Sequence, residues 1–350
     1  MDKSNQMDMS PRERILTALR REEPDRVPWY ELAVDPGLAH KLMGWRKEPA
    51  PSIASAVTNP YTIEESKAIA SRLGLDGISF ILRAPTYARM KEGVEGRGFP
   101  SEGLIKTEAD LEMVQLPDPR EDRLYAEAEQ FVRQRGDYAV AFVTRIGMFQ
   151  VILGMGIEGF SLALYDNRPL VEKLLDMYFD WMEVVAERIC QIGFDFFVTT
   201  DDFAFKSGMF FSPQVFQELM VPRYRKVLRK VTIPWVLHSD GDISKVVDTL
   251  IELGVAGIHP NEKGAMDIRA MKRNYGDRIC LLGNVDLNLL GLGTPEEVDR
   301  EVYELIRDVA PGGGYILTSG NSLASYLKPE CVLAMAEALK KYGSYPVRLN

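Results

Sequence analysis

The 350-residue sequence is 46% hydrophobic and 27% charged, enough for one barrel-sized domain or two ordinary ones. Its net charge of -9 argues against a nucleic-acid surface, which needs a basic stripe along the phosphates. The three cysteines, Cys190, Cys280 and Cys331, have no paired spacing, so no disulfide framework is expected and a cytoplasmic location is the default. Residues 1–10 are polar and lack the apolar centre of a secretory signal. No apolar run approaches the roughly 18 residues of a membrane span, so a soluble protein is expected.

In chain order, Ser10-Pro11-Arg12-Glu13 has the form of a capped helix start, and Ile15, Leu16 and Leu19 give that helix an apolar face. Residues 27–30, Val-Pro-Trp-Tyr, form a candidate first strand. Residues 36–60 are rich in proline and polar side chains and read as an excursion from the core, a lid or entrance loop, with a short helix near Leu38. A helix over Ile63–Leu73 leads into a strand at 77–82, and the glycines of 95–107 suggest a hairpin. A capped helix is expected from Thr107 and a further helix over 123–135, followed by a strand from Tyr138 to Val143 that ends at Thr144-Arg145-Ile146-Gly147. The longest helical signal covers Arg168–Ile192, with Leu170, Leu174, Leu175, Met182 and Val185 spaced for burial.

From Asp195 onward the rhythm is regular. Apolar runs end in Asp201-Asp202, His238-Ser239-Asp240, Asn261-Glu262, Asn284-Val285-Asp286 and Asn321, with helical segments between them. This alternation predicts parallel β/α units. About eight strand candidates, and no Gly-x-Gly-x-x-Gly after the first, favour a TIM (β/α)8 barrel over an open doubly wound sheet. The expected organisation is a single barrel domain over 1–350, with an N-terminal helical extension at 1–26. In a barrel the polar strand ends line one mouth.

His238-x-Asp240 is the sharpest chemical feature. Residues two apart on a strand face the same side, so the two can form a metal pair or a general acid/base pair. The alternative is that Asp240 caps the next helix while His238 donates to a backbone carbonyl. Adjacent Asp201 and Asp202 must point to opposite faces, so one of them is expected in the site and the other on a loop or on a cation such as Lys206. Glu262 faces either the site or a solvated ion pair with Lys263. Asn284 and Asp286 share a strand face but suit a turn equally well, and Asn321 follows Gly320 at a candidate left-handed turn. His259 and His40 carry little signal. The sequence has no Gly-x-Ser-x-Gly elbow, phosphate-binding Gly-Lys-Ser/Thr loop, Cys-x-x-Cys or His-x-Cys.

Pro11-Arg12-Glu13-Arg14, Asp25-Arg26-Val27-Pro28, Asp201-Asp202 with Ser212-Pro213, His238-Ser239-Asp240-Gly241, Gly283-Asn284-Val285-Asp286 and Gly293-Thr294-Pro295-Glu296-Glu297-Val298 occur in that order along nearly the whole chain. Together they resemble the uroporphyrinogen decarboxylase superfamily, which contains decarboxylases and cobamide-dependent methyltransferases. The resemblance implies a TIM barrel. Its decarboxylase branch places an arginine-rich segment after the first strand; here Trp29-Tyr30 runs into Glu31 and Asp35, so an octacarboxylate substrate is not expected. Its methyltransferase branch binds zinc through His-x-Cys and a later cysteine. Here His238 matches the histidine, Asp240 stands at the first cysteine, and Asn321 falls at or near the second.

The resemblance therefore implies methyl transfer from a small methylated donor, with a methyl ether as one option, to a corrinoid carried by a partner protein. Expected catalytic residues are His238, Asp240, Asp202 and Asp201, and expected substrate contacts are Asn284, Asp286, Glu262 and Trp29. Zinc held by His238, Asp240 and Asn321 is an option, and a homodimer is open. A decarboxylase of another substrate and a non-catalytic binding barrel are the alternatives.

Overall fold

The computed structural model describes residues 8–46, 57–92 and 98–348. Seven parallel strands lie side by side in sequence order: β1 (Gly77–Ile81), β2 (Ala139–Thr144), β3 (Phe196–Thr200), β4 (Trp235–His238), β5 (Val255–His259), β6 (Cys280–Val285) and β7 (Tyr315–Ser319). Each is an almost uninterrupted buried run, as parallel strands covered on both faces must be.

The segment at 27–30 joins the two edges. Leu317 N–H donates to the Pro28 carbonyl at 2.9 Å and Tyr30 N–H donates to the Leu317 carbonyl at 3.1 Å, giving a parallel bridge to β7. On its other side Asp76 N–H donates to the Trp29 carbonyl at 2.8 Å, just before β1. The expected first strand is thus present as a short stave that closes a TIM barrel. It makes no regular ladder because Pro28 has no N–H and the Trp29 N–H goes to the Asp76 carboxylate at 2.9 Å.

Inside the barrel, Ile81, Ala139, Ala141, Val143, Phe196, Val198, Val236, Cys280, Leu282 and Ile316 pack together with Tyr30. The helix Pro11–Leu19 plugs the floor of this interior with Ile15, Ala18 and Leu19. Its start is the expected capping box, with Glu13 N–H on Ser10 Oγ and Ser10 N–H on the Glu13 carboxylate. Arg12 reaches Asp195 at 2.6 Å, and Arg14 reaches Asp25 at 2.6 Å and Asp76 at 3.2 Å, tying the plug to strand entrances.

The longest helix is Arg168–Ile192, as its periodicity predicts, stopped by Gly193 in the left-handed region. The helix expected from Thr107 is instead a six-residue 3-10 turn, Glu108–Met113; none of its residues is buried, so no apolar face extends it. The hairpin pairs Ala88–Glu92 with Gly98–Gly103, starting earlier than expected. The excursion opens with the helix Pro36–Met43, fixed to the barrel by Ser325 Oγ–H on Asp35 at 2.6 Å and by Lys41 Nζ on the Ser325 carbonyl at 2.7 Å. Its residues 47–56 lie outside the described residues. Among the described residues, no single helix is long and apolar enough to cross a membrane.

Candidate active site at the barrel mouth

Strand parity decides which strand-end side chains enter the mouth. Phe196 and Val198 face the interior, so Thr200 and Asp202 continue inward while Asp201 takes the outer face with Phe197 and Thr199. By the same count Val236 leads to His238 and Asp240. The result is a convergence of three side chains, Asp202, His238 and Asp240, whose ligand atoms all lie within 4.8 Å of one another. His238 Nε2 is 3.8 Å from Asp202 Oδ1 and 3.9 Å from Asp240 Oδ1.

Neighbouring groups hold the three in place. Asp240 N–H donates to Asp202 Oδ1 at 3.0 Å, and Asn321 Nδ2–H donates to Asp240 Oδ2 at 2.7 Å. Asp240 Oδ1 is buried and, among the described residues, has no hydrogen-bond partner. The turn after Asp240 requires glycine: Gly241 has a φ of +82°, and a Cβ there would meet the Ala204 carbonyl oxygen at 2.4 Å. Its N–H donates to Glu262 Oε2 at 2.8 Å.

Behind His238 stands His259, its register partner on β5, with the two Nδ1 atoms 2.7 Å apart. One ring must donate and the other accept. With His238 as donor, its Nε2 presents a lone pair to the carboxylates; with His259 as donor, His238 Nε2 carries the proton. Burial pulls both rings below the ordinary histidine value, and for His259 the His238 ring adds to the effect. For His238, Arg83 and Arg145 push the same way and Asp202 opposes them. Asp240 is pushed up to about 8, first by burial and then by the charges of Asp202 and Glu262.

The other expected site residues are placed differently. Both Asp201 oxygens are taken by backbone, Oδ2 by Ile146 N–H at 2.8 Å and Oδ1 by Phe149 N–H at 3.0 Å, so Asp201 secures the start of the helix Met148–Met155 outside the cluster. Glu262 sits at the rim, bound to Gly241 N–H and 3.1 Å from Lys206; Lys263 pairs instead with Glu301. Asp286 caps the helix Leu287–Leu292. Asn284 is buried, its Nδ2–H on the Asn261 carbonyl at 2.5 Å. Asn321 spends its amide nitrogen on Asp240 and its oxygen on Ser322 Oγ–H at 2.9 Å, so it orients a ligand atom and Asp202 completes the triad. Trp29 is fully buried and donates Nε1–H to Glu31 at 2.7 Å. Glu31 also accepts Ser319 N–H at 2.9 Å and Ser319 Oγ–H at 2.6 Å, so it is committed to the wall between the closing stave and β7.

Sequence reasoning does not single out Arg83 or Arg145, and it gives His259 little weight. His259 ends its strand just as His238 does, and that position was the available signal. Arg83 and Arg145 follow β1 and β2 by the same parity that places Asp202, but no motif surrounds them.

The donor set suits a divalent cation. A nitrogen and two carboxylate oxygens are a common hard-metal set, and tetrahedral zinc needs donors about 3.4 Å apart, close to the separations here. The buried, unbonded Asp240 Oδ1 is the atom such an ion would satisfy.

Comparison with known proteins agrees with this architecture. The chain resembles a methyltransferase from Methanosarcina mazei with a TM-score of 0.76 and 19% identity, covering 95% of this chain and 99% of that one. A B12-independent methionine synthase from Shewanella sp. W3-18-1 superposes with a TM-score of 0.50 and 10% identity, covering 80% of this chain and 86% of that one. At these identities the likeness concerns the fold. In sequence, uroporphyrinogen decarboxylase from Alkalilimnicola ehrlichii is 23% identical over 95% of this chain and 94% of its own length. The enzyme of that name from Methylococcus capsulatus is 23% identical over 72% and 74%. The uroporphyrinogen decarboxylase (URO-D) family model matches residues 92–342, most of the chain. The chain therefore belongs to the uroporphyrinogen decarboxylase family.

Proposed function

We propose that this protein takes a methyl group from a small methylated donor, such as a methyl ether, and passes it to a corrinoid carried by a separate partner protein. The observation that carries the reading is the convergence of Asp202, His238 and Asp240, with Asp240 Oδ1 buried and unbonded. Removing a methyl group leaves negative charge on the heteroatom, and that charge must be met by a proton or a cation. Asp240 is suited to supply the proton. Its Oδ2 accepts from Asn321, so the proton of the neutral acid sits on Oδ1, beside His238. His259 fixes the His238 ring through Nδ1 and leaves Nε2 toward the donor.

A divalent cation such as zinc, held by Asp202, His238 and Asp240, would supply Lewis-acid polarisation of the same heteroatom. Cation and proton compete for Asp240, whose carboxyl burial and the charges of Asp202 and Glu262 hold above its ordinary value, so cation affinity rises with pH. The methyltransferase fold of the Methanosarcina mazei protein supports the reading at the level of architecture.

The relatives named uroporphyrinogen decarboxylase favour a second reading, decarboxylation. Against the tetrapyrrole octacarboxylate stands the lack of an arginine cluster in the segment that follows residues 27–30. One assay separates the readings: a corrinoid protein and a panel of methylated donors, with methyl transfer and carbon dioxide release both measured and the metal content of the enzyme determined. Transfer without carbon dioxide is expected, and His238→Ala and Asp240→Ala should each lower it at least about 100-fold. Unchanged transfer in both variants removes the pair from the mechanism.

A further inference from the structure

The helices Met148–Met155 and Ile157–Asp166 meet at Gly156 with a bend of 98°. The end of the hairpin sits in that elbow. A Cβ on Gly103 would meet Gly156 N at 2.2 Å, and Ile105 N–H donates to the Gly154 carbonyl at 2.8 Å. Backbone packed on backbone thus fixes one wall of a groove of about 680 Å³ between residues 101–106 and the second helix. Its base is apolar: Ile105 and Met155 are buried, while Ile157 is 39% and Leu162 58% exposed. Tyr165, three residues on from Leu162, stands out into solvent.

Helix spacing sets the charge of the rim. Glu158, Leu162 and Asp166 recur every four residues, so they form one stripe along the groove, an apolar side chain with a carboxylate one turn away on each side. Neither Glu158 nor Asp166 has an ion pair or a side-chain hydrogen bond among the described residues. Lys106, the cation that lines the groove, is already held by Glu102 at 2.7 Å.

An apolar stripe flanked by unpaired carboxylates selects its occupant by charge. An amphipathic helix with Lys or Arg one turn to either side of its apolar contact would cover Ile157 and Leu162 and meet both carboxylates. The same carboxylates repel an acidic helix and an anionic membrane surface. We infer that this groove docks a basic amphipathic helix of a partner protein. The inference uses no residue of the mouth triad and does not rest on the transfer reading.

The test titrates the full chain with three fluorescein-labelled peptides of about 16 residues and reads anisotropy. One carries leucine along one helix face and lysine along the other. The second has glutamate in place of lysine, and the third is a scramble of the first without an apolar face. The lysine helix should bind at least about tenfold more tightly than either of the others. Leu162→Glu should remove that advantage, and Glu158→Lys combined with Asp166→Lys should transfer it to the glutamate helix. All three positions are exposed, and Leu162→Gln stands in if Leu162→Glu does not fold. Equal binding of the lysine helix and its scramble, no binding below about 1 mM, or unchanged binding in the variants overturns the site. Two further outcomes overturn the partner: binding of phosphatidylserine vesicles in place of the peptide, and self-association that Leu162→Glu abolishes in sedimentation.

Discussion

At the floor of the barrel, Asp76 is fully buried yet lies 3.2 Å from Arg14 and 2.8 Å from Arg26, and it accepts the Trp29 amide as well. Asp195, at the entrance to β3, holds Arg12 at 2.6 Å and Arg135 at 3.4 Å and accepts Val140 N–H. At the mouth, Asp202 and Asp240 lie beside one histidine, Glu262 adds its charge to Asp240, and Arg83 stands next to Arg145. Buried atoms there, Asp240 Oδ1, His259 Nε2 and Arg145 Nε among them, find no partner among the described residues. Both ends bury ionisable groups. The floor pairs opposite charges in direct, close ion pairs, while the mouth crowds carboxylates beside one histidine and, among the described residues, leaves buried polar atoms unsatisfied, which is costly unless something else binds there. On the proposed function, the same barrel separates charges that hold it together from charges that act.

That contrast is open to direct attack. The largest effect is expected from Asp240→Asn, which keeps the shape of the side chain and removes its acid. Methyl transfer should fall about 100- to 10,000-fold, while the melting temperature holds because the amide keeps the shape of the side chain and an oxygen for the Asn321 hydrogen bond. A fall in melting temperature comparable to a floor variant would make the mouth structural and end the contrast. Next, Asp76→Ala should cost about 3–5 kcal/mol in urea unfolding, since Arg26 is left without this buried carboxylate and Arg14 keeps only Asp25. The folded fraction should keep its activity.

Glu31 sharpens the comparison from between the two ends. It is buried like Asp76 but held by three hydrogen-bond donors instead of cations, and burial, only partly offset by Ser319 and Trp29, raises it from 4.5 to about 7. The unfolded chain releases this proton near 4.5, the folded chain only near about 7. Between those values the unfolded state binds fewer protons, so stability falls as pH rises and levels off above about 7. The span is worth about 3 kcal/mol. Glu31→Gln, with the Ser319 hydroxyl turned to accept, should flatten that slope in unfolding measured across the same range. An unchanged slope would assign the pH dependence to other groups.

Much of the architecture was legible because burial on both faces of a parallel sheet writes long apolar runs. The strand ends were legible for the same reason: His238 and Asp240 interrupt such a run at a period of two. The choice between Asp201 and Asp202 was not, because parity says only that the two differ; the phase is set by which side Phe196 and Val198 pack. Arg83 and Arg145 were invisible because their meaning lies in the registration of β1 against β2, a contact between distant segments. Asn321 shows the limit for a single side chain. Its position beside the triad followed from the resemblance, but whether its amide coordinates or donates depends on the neighbouring Ser322 and Asp240.

The closing stave also sets the order in which this barrel can form. Its partners are far apart along the chain: Glu31 and Ser319, which share two hydrogen bonds, are separated by 288 residues. During synthesis β1 to β6 can add one beside the next as each emerges, but the seam waits for β7. Until then the growing sheet has an open edge at β1, and the floor plug has no finished cylinder to seal. Such late, long-range closure is slow and leaves the nascent chain exposed to mispairing. The seam between residues 27–31 and β7 is therefore where a chaperone would have most to protect and where a protease would first find an unfinished molecule.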